Sequence, residues 1–260
     1  MTLPTTQNCL LENTMFRLMK ALPLTLALAA LSISATSCGS GSSAQARFVN
    51  TIPNTSVYGN GLDVEVNGTK QFTDVTFPNA SASTYTSVAA GSDTILGLQT
   101  GTTTQVFSDT ASLSGGKQYT LVATGFASGS GGFVTLLTIS DTNTAPAAGN
   151  VEFRVISASP SGPSAVDVYI EAEPFSGNLT SPAISALAYT QTSSYVTIPW
   201  NSGGGGWVVF VTPAGSTTPI FSQTFNFGGQ TTTAIRTLVL TDVQGGGAMN
   251  QAFLELNDLN

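Results

Sequence analysis

The sequence contains no histidine in 260 residues. Histidine is the commonest general base and the commonest metal ligand in proteins, so its absence argues against most acid–base catalysis and most metal sites. Lys70 and Lys117 are the lysines of the β-rich region, and neither lies in a Ser-x-x-Lys motif that would activate a serine. We therefore expect no enzymatic activity, no metal and no cofactor.

Charged residues are also scarce, at 8% of the chain, but 41% of the residues are hydrophobic, which argues against a disordered protein. The formal net charge is −7. Glu12, Arg17 and Lys20 contribute +1 to it, which leaves −8 for residues 38–260. An acidic chain with few Lys and Arg residues lacks the positive charge that nucleic-acid binding requires, so we expect no nucleic-acid partner.

A basic segment and an apolar run precede the folded part of the chain. Arg17 and Lys20 stand before the apolar run 21–31, and small residues follow it. This order is typical of a cleaved export signal, and the run is shorter than the ~20 residues of a membrane-spanning helix. Residues 1–37 are therefore interpreted as a signal peptide, with Met15 as an alternative start.

The residues around Cys38 determine which kind of export signal is predicted. Ala35-Thr36-Ser37-Cys38 resembles the bacterial lipobox, although Ala35 stands where Leu is usual. The resemblance implies that Cys38 is lipidated and anchors the chain in a membrane of the cell envelope through a flexible tether. Gly39 after the cysteine fits the outer membrane, facing either the periplasm or the cell surface. The alternative is an ordinary signal peptide cut near Ser37 or in the Ala44-Gln45-Ala46 region, which would give a secreted protein.

The rest of the chain has short runs rich in Val, Ile, Thr and aromatic residues, separated by Gly-, Pro- and Asn-containing turns. This pattern predicts an all-β protein built from antiparallel β-sandwiches. Asn67-Gly68 is a strong hairpin signal, because both central residues of a type I′ turn need positive φ. The predicted organisation is a signal peptide at 1–37, a tether at 38–45, β-sandwiches at 46–140 and 151–260, and a linker at 141–150.

The two predicted sandwiches repeat the same pattern. In each, an Arg opens an apolar run that ends in Pro, and an Asp lies in the alternating run that follows. Further matches keep the same order along both halves of the chain. The matched residues are Arg47 and Arg154, Asp63 and Asp167, Tyr85 and Tyr195, Phe107 and Phe221, Thr120 and Thr237, and Phe133 and Phe253.

The motifs Phe153–Pro160, Val166–Ile170 and Ser194–Pro199 resemble the domain of unknown function 4397, a family of β-sandwich modules in exported bacterial proteins. The first half matches less closely, because Asn50-Thr51-Ile52-Pro53 replaces Ser-Ala-Ser-Pro. The resemblance implies two tandem immunoglobulin-like domains in an exported lipoprotein. The family has no established activity, so the resemblance supplies no functional residues.

The recurring Arg and Asp residues are the most prominent polar residues of the repeat. We predict structural pairs, Arg47 with Asp63 and Arg154 with Asp167, which would hold neighbouring strands in register. The alternative is a calcium site that uses the two Asp side chains with Glu65 or Glu171, but Ca²⁺ needs more clustered oxygens than these spacings supply.

Trp200 and Trp207 flank a glycine-rich segment that has no counterpart with Trp in the first half. Exposed, these indoles would contact a sugar or another ligand, and otherwise they pack in the core. We therefore predict a non-enzymatic, lipid-anchored envelope protein that acts as a structural or protein-interaction module. The alternative is a carbohydrate-binding or adhesion module that uses Trp200 and Trp207, with polysaccharide as its partner.

Overall fold

The computed structural model describes residues 42–53, 61–81, 84–127, 133–200, 206–225, 233–243 and 251–259. All regular elements in these ranges are β-strands, which confirms the all-β prediction. Residues Gly39–Asn260 form one compact unit. Across the described ranges, no helix has the length and apolar character needed to cross a membrane.

Domain 1 comprises the first nine described strands. They are β1 (Ser43–Thr51), β2 (Gly61–Val66), β3 (Thr69–Thr76), β4 (Asn79–Ala80), β5 (Thr86–Ala89), β6 (Gly91–Gln99), β7 (Gln105–Leu113), β8 (Gln118–Phe126) and β9 (Phe133–Asp141). Asn67 and Gly68 join β2 to β3 with φ angles of 51° and 75°, which confirms the predicted hairpin. The positive φ at both positions is the requirement of a type I′ turn.

Domain 2 comprises the remaining described strands. They are β10 (Asn150–Ser157), β11 (Ala165–Ala172), β12 (Ile184–Ala188), β13 (Val196–Pro199), β14 (Trp207–Pro213), β15 (Phe221–Phe225), β16 (Ile235–Asp242) and β17 (Gln251–Asn257).

Each domain consists of two sheets, and the strand orders of the two domains correspond. The interface sheet of domain 1 has the order β4-β1-β8-β9, with β5 also paired to β1, and that of domain 2 has the order β13-β10-β16-β17. The outer sheets have the orders β3-β2-β6-β7 and β12-β11-β14-β15. Most pairs are antiparallel, but the central pairs β1–β8 and β10–β16 are parallel.

Each domain encloses its own apolar core between its two sheets. Phe48, Val64 and Leu121 belong to the first core, and Phe153, Val168 and Val209 to the second, all with 0% exposure. Alternation along the strands places one face of each sheet in the core, and this gives the sandwich-like domains that the sequence predicts.

The domain limits differ by a few residues from the predicted ones. β1 begins at Ser43, within the segment 38–45 that was predicted as tether, because Ser43 pairs with Ala89 of β5. Likewise, Asp141 is the last residue of β9, where the sequence predicts the linker to begin. Both segments are polar and poor in apolar residues, so their backbone pairing is not visible in the sequence pattern.

The directions of the strands give the molecule two distinct ends. β1 and β8 run in the same direction and β9 returns, so Ser43 and Asp141 lie at one end of domain 1. In domain 2, Asn150 and Asn257 lie together for the same reason. We call this the terminal end, and the opposite end, where β8 turns into β9 and β16 into β17, the loop end. With ~3.3 Å per residue, the nine-residue strand β8 separates the two ends by about 26 Å.

Candidate functional site at the interface of the two domains

The two interface sheets pack against each other through the faces that point away from the domain cores. The contact is apolar at its centre. Its buried residues are Val49, Val122, Ile156, Ala158, Val239 and Leu256. A sandwich alone would expose this second apolar face to water, so burying it between the domains stabilises both of them.

Arg47 crosses this interface from domain 1 into domain 2. Its Nη1 donates to the carbonyl oxygen of Asn257 at 2.7 Å, and its Nη2 pairs with the carboxylate of Asp258. Its Nε donates to Thr120 Oγ1 of its own domain at 2.8 Å. The guanidinium of a side chain that is only 1% exposed is thus held by groups of both domains.

Arg154 crosses in the opposite direction with the same set of contacts. Its Nη1 donates to the carbonyl oxygen of Ser140 at 3.0 Å, and its Nη2 pairs with the carboxylate of Asp141. Its Nε donates to Thr237 Oγ1 at 2.7 Å. Each arginine therefore binds the carboxylate that follows or ends the last strand of the other domain, so the two domains exchange equivalent ion pairs.

A tyrosine completes each half of this cluster. Tyr85 donates to Asp141 Oδ2 at 2.8 Å, and its ring lies 4.9 Å from the guanidinium carbon of Arg47. Tyr195 donates to Asp258 Oδ2 at 2.7 Å, and its ring lies 4.7 Å from the guanidinium carbon of Arg154. Hydrogen bonds and cation–π contact thus satisfy groups that burial would otherwise leave without water.

The electrostatics of the cluster raise the pKa of Arg154 and of both tyrosines, which keeps Arg154 charged and the tyrosines neutral. Burial by itself would lower the pKa of Arg154, but the carboxylates of Asp141 and Asp258 raise it overall. Burial raises the pKa of Tyr85 and of Tyr195. The nearby arginines lower both pKa values and the nearby carboxylates raise them, and the net shift is upward. Two cations and two anions are thus buried together in a neutral cluster.

The predicted pairing of Arg47 with Asp63 and of Arg154 with Asp167 is wrong. Asp63 lies in β2 of the outer sheet and Arg47 in β1 of the interface sheet, with the core of domain 1 between these sheets. The two side chains therefore cannot meet. The prediction of a structural role agrees with the burial of all four residues, but the partners are different.

Asp63 and Asp167 instead hold backbone amides of their own domains. Asp63 accepts hydrogen bonds from the amides of Asp74 and Gly101, at 3.0 and 3.2 Å. Asp167 accepts from the amides of Ala186 and Gly215, at 2.6 and 2.7 Å. All four donor residues have positive φ, between 48° and 78°. The recurring Asp therefore stabilises an irregular third strand and a tight turn in each domain.

Asp63 has one further partner, Lys70, whose Nζ lies 2.6 Å from Oδ2. Burial raises the pKa of Asp63, but the hydrogen bonds from Lys70, Asp74 and Gly101 lower it by more, so the pKa lies below its ordinary value. Among the described residues, no group of three Cys, Asp or Glu side chains has the arrangement that a metal ion would need.

The alternative in which Trp207 contacts a ligand does not agree with the position of its side chain. Trp207 begins β14 and is 1% exposed, with its ring 5.9 Å from that of Phe153 and 5.3 Å from that of Trp200. Trp200 is half-buried against the same core. Alternation along β14 directs Trp207 inward, so it has no face on which a sugar could stack.

The predicted lipidation site, Cys38, lies outside the residues that the structure describes.

Sequence reasoning missed Asp141 and Asp258, the carboxylates at the centre of the cluster. The sequence pattern places Asp141 in the predicted linker 141–150 and gives Asp258 no role. A signal was nevertheless present, because 117 residues separate Asp141 from Asp258 and the same number separates Thr120 from Thr237. The matched order of residues in the two halves of the chain therefore includes these two carboxylates.

Comparisons with known proteins agree with the family resemblance. Residues 44–169 match the family described as Domain of unknown function (DUF4397). The match covers nearly all of domain 1 together with β10 of domain 2, and it ends at Tyr169 within β11. No curated protein matches the chain.

Among solved structures, one described as "Alpha-glucan binding by a streptococcal virulence factor" is 11% identical to this chain. The alignment covers 79% of this chain and 96% of that one, with a TM-score of 0.26. A likeness of this size carries no conclusion about the fold or the ligand of the present protein.

Proposed function

We propose that the protein is a non-enzymatic module of the bacterial cell envelope, anchored by lipid at Cys38 and acting in structure or in protein interaction. The observation that carries the proposal is the exchanged cluster of Arg47, Arg154, Asp141 and Asp258. The recurring charges of the chain are used to lock two sandwiches together, and this favours a rigid two-domain unit over a catalytic centre. The lack of histidine points the same way.

We also propose that domain 2 is a second copy of the family that matches residues 44–169. The corresponding strand orders of the two domains support this, as do the matched roles of Asp63 and Asp167. The exchange of equivalent ion pairs supports it further, because reciprocal contacts of this kind are those of a symmetric dimer whose two copies have become one chain.

Anchoring at Cys38 fits the position at which the fold begins. The first strand starts at Ser43, five residues after the cysteine, and it starts at the terminal end of domain 1. A chain attached through Cys38 would therefore have its terminal end next to the membrane and its loop end away from it. Gly39 after the cysteine favours the outer membrane as the location.

The proposal is tested by expression of the full chain and of Cys38→Ser in a bacterial host that processes lipoproteins. We expect the mature wild-type chain to begin at Cys38, to carry acyl chains in its mass spectrum and to sediment with membranes. Cys38→Ser should lose both properties, whereas Ser40→Ala should keep them. A wild-type chain with an unmodified N-terminal residue other than Cys38 would refute the anchor and indicate a secreted protein.

A further inference from the structure

A cleft of about 450 Å³ lies beside the arginine cluster, at one edge of the interface between the two domains. Strand β4 of domain 1 and strand β17 of domain 2 form its sides, and both are edge strands of their sheets. Concave sites of this volume at the junction of two domains are the usual sites of small ligands. The side chains that line the cleft therefore indicate which kind of ligand it would accept.

The inner part of the cleft is apolar. Leu256 lines it, is 5% exposed and belongs to the apolar contact between the domains. Ala80 of domain 1 and Leu254 of domain 2 also line it and are partly buried against the same contact. A ligand with an apolar body would continue this contact and remove the three side chains from water.

Two arginines give the cleft a positive charge. Arg47 and Arg236 both line it, and they are 1% and 6% exposed. Of the seven Lys and Arg residues in the chain, Arg17 and Lys20 precede residue 38, which leaves five, and two of these five meet at this cleft. Since the chain from residue 38 onward has a net charge of −8, the cleft is a local exception that attracts an anion.

The contacts of Arg47 leave hydrogen-bond donors for such an anion. A guanidinium carries five N–H donors. Among the described residues, three of those of Arg47 have acceptors, on Thr120, Asn257 and Asp258. The planar fork of a guanidinium matches the geometry of a carboxylate, so a carboxylate is the anion that this arrangement favours.

Arg236 already binds a carboxylate at the mouth of the cleft. Its Nε donates to Glu255 Oε1 at 2.8 Å, and its Nη1 donates to Asn257 Oδ1 at 2.7 Å. The guanidinium is therefore oriented for a carboxylate. The Glu255 side chain is 38% exposed, and an ion pair with such a partner contributes little to stability, so a ligand carboxylate can replace Glu255 at a small cost.

The corresponding position of domain 1 lacks this charge. The offset of 117 residues places Tyr119 where domain 2 has Arg236. It also places Thr138 where domain 2 has Glu255. Tyr119 belongs to the apolar core of domain 1. The second arginine is thus a feature of one side of the interface, at a position where the two halves of the chain differ, and the shared fold does not require it.

We propose that the cleft binds a small organic monocarboxylate with an apolar body. Arg47 and Arg236 bind the carboxylate, and Leu254 and Leu256 cover the apolar body. Because the sides of the cleft belong to different domains, the ligand also stabilises their docked arrangement. This inference goes beyond the proposed function and does not depend on lipidation of Cys38.

The test is a titration of the folded unit Gly39–Asn260 with sodium hexanoate, followed by NMR of the backbone amides. We expect saturable shifts at Ala80, Leu254 and Glu255, with a dissociation constant of about 1 mM or below. Hexanamide has the same shape without the charge, and it should bind about tenfold more weakly. The amides of Thr138 and Thr192, on the opposite side of the interface, should not shift.

Two variants test the residues of the cleft. Arg236→Gln should weaken hexanoate binding by about tenfold. Asn79→Glu leaves both arginines in place and adds a negative charge at the exposed mouth of the cleft, so it should weaken binding by about fivefold at low salt. Gln191→Glu is its matched control, because Gln191 is exposed and lies beside Ser157 as Asn79 lies beside Asn50. Circular dichroism melts should show all variants folded.

The absence of saturable shifts at the cleft would overturn the inference, and so would equal binding of hexanamide and hexanoate. Inorganic phosphate that bound as tightly as hexanoate would also contradict it, since the apolar walls would then contribute nothing. If Gln191→Glu weakened binding as much as Asn79→Glu, the effect would be one of net charge, and the cleft would not be the site.

Discussion

Arg47 and Arg154 reach out of their own domains, whereas Asp63 and Asp167 bind backbone amides within them. Both sets are buried, both recur at matching positions, and they lie near each other in the sequence. The arginines lie on interface sheets and the aspartates on outer sheets, so the apolar cores separate the two sets. Recurrence of a residue in the two halves of the chain thus indicates the same structural role in each half, but it does not identify the partner of that residue.

Breaking the arginine cluster should have the largest effect on the free energy of unfolding. Asp141→Ala removes the carboxylate that binds Arg154, Tyr85 and Thr120, and leaves a buried guanidinium without its main counter-charge. We expect a loss of about 3–5 kcal/mol in the free energy of unfolding, measured in urea. Glu152→Ala is the control, because Glu152 accepts a long surface bond of 3.3 Å from Thr197, and its loss should be under about 0.5 kcal/mol.

A loss below about 1 kcal/mol for Asp141→Ala would contradict the role given to the cluster. The replacement of both partners, Arg154→Met with Asp141→Leu, should cost less than the sum of the two single changes, because no charge is then left unpaired.

An intermediate loss in the free energy of unfolding is expected when Asp63 or Asp167 is replaced. Asp167→Ala leaves the amides of Ala186 and Gly215 without their acceptor, and this should cost about 2–3 kcal/mol. Asp167→Asn keeps one oxygen acceptor and should cost less. Hydrogen exchange should show the loss of protection in domain 2, with the protection of domain 1 retained. An equal loss of hydrogen-exchange protection in both domains would mean that Asp167 supports the interface between the domains.

The smallest effect is expected for Lys70→Met. The Lys70 side chain is 46% exposed, so its bond to Asp63 should contribute under about 1 kcal/mol at neutral pH. Asp63 has a lowered pKa in the folded chain, so its contribution to stability is present above its unfolded pKa and is lost as pH falls through the folded value.

Removal of Lys70 raises the pKa of Asp63, so the acid loss of stability should begin at a higher pH. Urea melts between about pH 5 and about pH 3 would detect the shift. Lys117→Met, in an exposed turn, should leave the pH profile unchanged. Unchanged profiles for both variants would show that Lys70 does not contribute to the lowered pKa.

Much of the fold could be predicted from the sequence, because strands and turns depend on local patterns. The alternation around Val64, the turn at Asn67-Gly68 and the repeated Arg and Asp motifs each report on neighbouring residues. The exchanged partners could not be predicted in this way. Arg47 and Asp258 are 211 residues apart, and their meeting depends on how two complete domains dock.

The tryptophans illustrate the same limit. The sequence places Trp200 and Trp207 on either side of a glycine-rich segment, a position that suits both exposure and burial. Only the direction of β14 decides that Trp207 points into the core, and this in turn reduces the role of these residues in any ligand contact.

By itself, the sequence determined the all-β class, the recurring order of residues in its two halves and the absence of histidine, because these follow from composition and from patterns along the chain. Only the tertiary structure decided which charges meet, which indoles are buried and which end of the molecule carries the exposed Phe133 and Val243. Those properties depend on sheet order and on the docking of one sheet against another, and both are set by contacts between residues that lie far apart in the chain.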